Sequence, residues 1–216
     1  MEQLTVYFDG ACEPINPGGT ATYGFVIYQV DKPLHRDGSV VGSGPQMSNN
    51  VAEYRALLAA LEWLLEHGYT DHPILVRGDS KLVISQMQGQ WEIRQGLYKR
   101  WAFKAQKLAR GFRSIQFQWI PGDKNGEADA LSRRFFVESF EAERRERARK
   151  IPRDAITRVG DGQYIVKGTQ EQEYEVDLEA NSCTCPDFKT RCEKIGMRCK
   201  HIWAVIEVQQ VENKGG

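Results

Sequence analysis

The 216-residue chain has room for one large domain, or for a medium domain followed by a small one. Its composition, 41% hydrophobic, 27% charged and 10% aromatic, is that of a globular chain, and 29 basic against 29 acidic side chains leave no net charge to mark a polyanionic or polycationic partner. No apolar run approaches the roughly 18 residues that a membrane span requires, so no membrane association is expected.

Leu4 to Cys12 (LTVYFDGAC) alternates apolar and polar residues and reads as a strand ending in Asp9-Gly10. Taken alone, Asp-Gly is a turn signal. A breaker-rich turn follows, then a strand over Ala21 to Val30, a turn over Asp31 to Arg36 and a third strand over Ser39 to Gly44. Ser48-Asn49-Asn50 supplies capping chemistry for a helix that carries Leu57, Leu58, Leu61, Leu64 and Leu65, places Glu53 in its first turn and stops at His67-Gly68. Ile74 to Gly78 is a buried-type strand with Asp79 just past it, and Ser80 begins a second helix. Leu97, Trp101, Ala105, Leu108 and Phe112 form the apolar stripe of a third, and Ile115, Phe117 and Trp119 a fifth strand. A last helix starts near Glu127 with Asp129 in its opening turn. This order predicts an α/β fold, a mixed five-stranded sheet flanked by helices, over residues 1–137.

Residues 138–153 are densely charged and read as a solvated helical linker. From 154 to 216 new strand patterns (ITRV, QYIV, YEVDL) precede a cysteine cluster and a short helix over His201 to Val208, giving a small ββα-type module. The strand pattern starting at Leu4 leaves no room for a signal peptide, so the expected compartment is cytoplasmic, where thiols stay reduced. Four of the five cysteines then read as a metal site rather than as disulfides.

Four carboxylates fall at element ends: Asp9, Glu53, Asp79 and Asp129. Singly, each has an ordinary explanation, a turn residue, a helix N-terminal acid or an N-cap. Together, at one edge of a sheet whose first and fourth strands are parallel, they suit two hard divalent cations, Mg²⁺ or Mn²⁺, acting on a phosphodiester. The motifs DGAC, SNNVAE, GDS and ADALS, in this order over about residues 1–136, resemble those of the type 1 ribonuclease H family. The resemblance implies Asp9, Glu53, Asp79 and Asp129 as catalytic metal ligands. It also implies hydrolysis of the RNA strand of an RNA–DNA hybrid, with 5′-phosphate and 3′-hydroxyl products. It implies that Asn49 and Asn50 sense 2′-hydroxyls and that Cys12 lies beside the hybrid backbone. Between Gln90 and Arg113 seven basic residues face one acid with aromatics interleaved, which makes Trp91, Arg94 and Lys99 candidate nucleic-acid contacts. Trp101, on the apolar stripe, reads as core. The chain departs from the family pattern in two places. The loop before the last helix (Pro121-Gly-Asp-Lys-Asn-Gly) lacks a histidine, so that either Asp123 or Lys124 substitutes for it or the step goes unassisted, and no long basic insertion separates the second and third helices.

Cys183-x-Cys185, thirteen residues, then Cys199-x-His201 is a four-ligand zinc spacing, with Cys192 as a spare thiol. With its flanking strand and helix, the segment from about 155 to 208 resembles the SWIM zinc finger, which implies binding to nucleic acid or to a protein partner. Arg191, Lys194, Arg198 and Lys200 make its loop basic. Double-stranded RNA and DNA stay open as further ligands. Two alternatives stand beside the main reading: a non-cleaving protein that binds hybrids or RNA, and another nuclease of the superfamily acting on DNA.

Overall fold

The computed structural model describes residues 1–168, 170 and 172–212. The chain divides into two compact units, Met1–Val137 and Glu138–Gly216.

The first unit contains β1 (Leu4–Glu13), β2 (Gly18–Gln29), β3 (Lys32–Gly44), α1 (Asn49–Glu66), β4 (Pro73–Gly78), α2 (Lys81–Met87), α3 (Lys99–Ala109), β5 (Ser114–Trp119) and the first part of α4 (Gly126–Ala148). The sheet order is β3-β2-β1-β4-β5. The β1–β2 and β2–β3 pairs are antiparallel, and the β1–β4 and β4–β5 pairs are parallel. The core is Leu4, Val6 and Phe8 of β1 and Phe25 and Ile27 of β2. Ile74 and Val76 of β4 and Leu57, Leu58, Leu61 and Leu64 of α1 complete it. Each of those leucines contributes about 2 kcal/mol relative to an exposed one, which fixes the face α1 turns to the sheet.

Three local expectations change. β1 runs through Asp9-Gly10 to Glu13, because β2 pairs with it over its whole length, from Leu4↔Gln29 to Glu13↔Thr20. β3 starts at Lys32 rather than at Ser39: Gln29↔Lys32 closes a tight hairpin, with Val30 at φ 56°. As an edge strand it can carry polar residues, which hid it from the hydrophobic pattern. Finally, α3 starts at Lys99, so Leu97 lies outside it and is 36% exposed. The stripe is instead completed by buried Tyr98, Ala102, Ala105 and Phe112, with Trp101 and Leu108 packed against the same core.

The second unit holds the end of α4, β6 (Ile156–Arg158), β7 (Gln163–Lys167), β8 (Glu173–Asp177), β9 (Ser182–Cys183) and α5 (Lys200–Glu212). Its antiparallel sheet has the order β6-β7-β8-β9. Tyr164, Val166, Val176, Ile202 and Val205 are buried. The charged stretch from 138 is not a solvated face throughout: Phe140, Arg144 and Ala148 are buried. The Arg144 guanidinium lies 3.5 Å from the Phe140 ring centroid and donates to Glu143 at 2.7 Å and Asp187 at 3.2 Å. Ala148 packs with Trp203 and Ala204 of α5. Charge density in sequence does not reveal which arginine of a run turns inward.

Candidate active site and metal centre

Carboxylate oxygens of Asp9, Glu53 and Asp79 all lie within 4.8 Å of one another. Each reaches this point by a different device. Asp9 sits on β1 two residues beyond Tyr7↔Arg77, the last register pair with β4. Asp79 follows the last residue of β4. Glu53 is one turn inside α1, whose N-cap is Ser48: its Oγ accepts from Val51 N at 3.3 Å, leaving Asn49 and Asn50 outside the capping role. Glu53 reaches Asp9 because residue 10 is a glycine; any Cβ there would overlap Glu53 N and the Ala52 backbone. Gly24, the register partner of Asp9 on β2, does the same for α4, where a Cβ would stand 2.5 Å from Leu131 Cβ and 2.8 Å from Ser132 N.

The electrostatics follow from this crowding. Burial, and then the charges of Asp79 and Asp129, push the Asp9 carboxyl up to about 6, against the pull of a hydrogen bond from Ser132. Glu53 is pushed well above the usual carboxylate range by burial, Asp9 and Asp79, and its Oε2 is buried with no hydrogen-bond partner among the described residues. Acids facing each other in a desolvated, oxygen-only site are an arrangement that a hard divalent cation relieves. Asp129 stands apart from the three: in the first turn of α4, half-exposed, it accepts from Arg133 Nε at 2.7 Å.

Two residues that the sequence did not single out hold this site. Ser132 is fully buried, and its hydroxyl lies 2.5 Å from Asp9 Oδ2, while Thr22 donates to the Ser132 carbonyl at 2.9 Å. Asn125, also buried, donates to the Phe8 carbonyl at 2.9 Å and to Asp79 Oδ1 at 3.0 Å. Ser132 lies in the ADALS motif and could have been suspected as a second group one helical turn after Asp129. Nothing in the local pattern marks Asn125. Asp123 and Lys124, in the 3-10 turn before it, are exposed.

The substrate candidates are dispersed. Cys12 is buried, with Sγ 3.4 Å from the Ile15 carbonyl. Asn49 is exposed and Asn50 half-buried at the start of α1. Trp91 and Arg94 line a cavity of about 440 Å³ with Leu82, Gln86 and Tyr98. Lys99 opens onto another, of about 720 Å³, with Gln46, Arg100 and Phe103.

In the second unit, ligand atoms of Cys183, Cys185, Cys199 and His201 lie within 4.8 Å of one another, all four residues buried. β9 delivers Cys183, and α5 begins between Cys199 and His201. The His201 Nδ1 faces the Cys183 sulfur at 3.7 Å, and its ring stacks on Tyr174 with centroids 4.6 Å apart. Backbone N–H groups of Cys185 and Phe188 point at the Cys183 and Cys185 sulfurs. Hydrogen bonds from Cys183 and Cys199 pull the Cys185 thiol far down, and Cys183 is pushed up to about 12 in return. One thiolate here already suppresses the next, which is what a soft cation would lift. Three sulfurs and one imidazole fit zinc. Cys192 is buried outside the cluster, beside Asp187.

Residues 8–135 match the model of the reverse transcriptase-like family, and residues 174–210 match the SWIM zinc finger. The chain is 38% identical over 117 residues to the bifunctional protein Rv2228c of Mycobacterium tuberculosis, a stretch covering 54% of this chain and 31% of that protein. Thus the chain spans less than a third of that relative. The structure of ribonuclease H1 from Halobacterium salinarum aligns with a TM-score of 0.57 at 34% identity, covering 63% of this chain and 98% of that one. LC11-RNase H1, isolated from compost and solved in complex with an RNA/DNA hybrid, aligns with a TM-score of 0.58 at 31% identity, covering 63% and 99%. No helix among the described residues is long and apolar enough to cross a membrane. The family match spans more than half the chain, and the sheet, the helices and the three converging acids agree with it: the chain belongs to the reverse transcriptase-like family, in its ribonuclease H group, and its C-terminal unit carries a SWIM zinc finger.

Proposed function

We propose that this protein is an endoribonuclease that hydrolyses the RNA strand of RNA–DNA hybrids, leaving 5′-phosphate and 3′-hydroxyl ends. In this reading residues 1–137 are the catalytic domain, 138–153 join it to the rest, and 154–216 are the zinc module. The observation that carries it is the convergence of Asp9, Glu53 and Asp79 with a buried Glu53 oxygen left unpartnered. Those three residues, with Asp129, are the ligands for two Mg²⁺ or Mn²⁺ ions. When bound, such ions activate the attacking water and stabilise charge at the leaving oxygen.

The chain's own residues prepare that chemistry. Ser132 holds Asp9 and Asn125 holds Asp79, so two carboxylates are oriented before any ion arrives. Raised carboxyl affinities for protons mean that protons compete for the site below about pH 6. Asn49 and Asn50, freed from capping by Ser48, are available to read 2′-hydroxyls. Cys12, Trp91, Arg94 and Lys99 remain candidates for strand contact. Either Asp123 or Lys124 takes the place of the absent loop histidine in proton transfer, or the step goes unassisted. Cys183, Cys185, Cys199 and His201 hold structural zinc, and the basic loop around them tethers nucleic acid, raising the effective concentration of hybrid at the catalytic domain. Free thiols in all five cysteines suit a reducing, cytoplasmic setting.

The test is cleavage of a hybrid end-labelled on either strand, with Mg²⁺ or Mn²⁺, and with Asp79→Asn as control. Cutting of the RNA strand alone, lost in the variant, is the expected result. Tight binding of the hybrid without cutting by either metal would sink the catalytic reading.

A further inference from the structure

β1, β4 and β5 are consecutive and parallel in the sheet, and β4 and β5 finish beside the point where β1 passes Asp9. The first carries Asp9 and the second leads into Asp79. The third ends in Trp119, register partner of Gly78. Adjacent strands lie about 4.8 Å apart, so Trp119 stands about one strand spacing from Asp79 and two from Asp9. It is 42% exposed, leaving a large part of its indole open to solvent. Its orientation is nevertheless fixed: the indole Nε1–H donates to the Asp79 carbonyl at 2.9 Å. Lys81, the first residue of α2, holds its ammonium 4.9 Å from the centre of the ring. That ammonium has no carboxylate partner among the described residues.

We propose that Trp119 and Lys81 form a contact platform for the RNA strand beside the scissile bond. The inference rests on the functional reading above and goes beyond it by naming the surface that receives the neighbouring nucleotides. Charge and position carry it. The acid cluster repels the phosphates it must act on, and Lys81 supplies a fixed positive charge at its border. Successive phosphates of one strand advance by about 3.4 Å along the helix axis, so a platform 5–10 Å from the carboxylates meets the strand roughly one to three nucleotides from the cut. Lys81 pairs a phosphate there, and the indole face it leaves takes a base or sugar. Exposed aromatics beside cations are how single strands are held without sequence preference.

Fluorescence anisotropy of a labelled RNA–DNA hybrid, titrated with the full chain in EDTA and at several salt concentrations, tests this apart from catalysis. Trp119→Ala should raise Kd by about 5- to 150-fold, the range for losing one stacked base. Trp119→Phe, which keeps the face and loses the N–H, should stay within about threefold of wild type. Lys81→Gln should reduce the slope of log Kd against log salt by about 0.8, one phosphate contact, and Lys81→Arg should restore it. Unchanged binding by Trp119→Ala would overturn the platform. So would equal damage from Phe and Ala, which would assign Trp119 to bracing Asp79 alone, or an unchanged salt slope in Lys81→Gln. A wild-type protein that binds hybrid but does not cut it leaves these comparisons intact and fails only the catalytic reading; one that binds no hybrid overturns both.

Discussion

Asp9, Glu53 and Asp79 come together from β1, α1 and the end of β4, held by a sheet whose core would form without them. Cys183, Cys185, Cys199 and His201 come from one short stretch of chain, joined by a two-residue strand and the start of α5. In the first cluster the fold pays to hold like charges together, and Glu53 and Asp9 respond by gripping protons. In the second, all four ligands are themselves buried within the unit. A small module with little core draws on its metal for folding energy, whereas a domain with an extended core can hold a self-repelling site. The difference teaches that a ligand cluster's cost or benefit to stability depends on what else holds its elements.

The strongest way to break this comparison is to remove a ligand from each side. Asp79→Asn should lower hybrid cleavage by roughly a thousandfold, an electrostatic loss, yet leave the melting temperature of the catalytic unit equal to or above wild type. A variant that loses both activity and fold would show that the acids are structural. Cys199→Ser, or stripping zinc with a chelator, should do the reverse. The C-terminal unit should unfold, with roughly 10 kcal/mol of metal-linked stability lost, while protease-resistant fragments show residues 1–137 intact. A stable, metal-free second unit in hydrogen exchange would contradict the contrast.

Gly10→Ala should cost about 3 kcal/mol in thermal or urea melts, since the Cβ meets the backbone of α1 rather than a movable side chain. It should also lower cleavage by displacing Glu53. Wild-type stability with full activity would mean that α1 and β1 part more easily than their packing indicates.

The pH dependence sharpens the electrostatic half. Asp9 is raised in the folded state from 3.8 to about 6, so the folded, metal-free protein binds more protons than the unfolded chain between those values. Its contribution is fully present below about pH 4, declines as pH rises toward 6, and levels off above it. The total is about 3 kcal/mol. Urea melts in EDTA should show that decline, and Asp9→Asn should remove it and stabilise the metal-free protein at pH 7.5. Added Mg²⁺ should offset the loss in wild type only. The smallest effect is expected from Cys192→Ser, which should leave one zinc per chain by metal analysis, because Cys192 is buried outside the cluster.

Much of this molecule was legible in its sequence, for identifiable reasons. Alternation in β1 and the leucine spacing of α1 are local consequences of burying one face, so strands, helices and the five-stranded sheet could be read from periodicity. The zinc ligands are close in the chain, and spacing alone singles them out. Less legible was whatever depends on an approach between distant elements. Asp9-Gly10 looked like a turn because Asp and Gly are turn residues, and Gly10 proved to be the clearance through which α1 brings Glu53 to Asp9. Asn125 and Ser132 carry ordinary local sequence, and their bonds to Asp79 and Asp9 exist only once α4 lies against β2 at Gly24. Arg144 sits among residues of the same charge type, yet it alone of its run is buried, because a helix turns one side chain inward and sequence charge does not say which. Sequence by itself determined the kinds of ligand, acids in one part and thiols with an imidazole in the other, since chemistry is a property of residue type. Tertiary structure decided which of those acids face one another, what holds them and how strongly they resist sharing a site, because distance and desolvation arise only when the chain is packed.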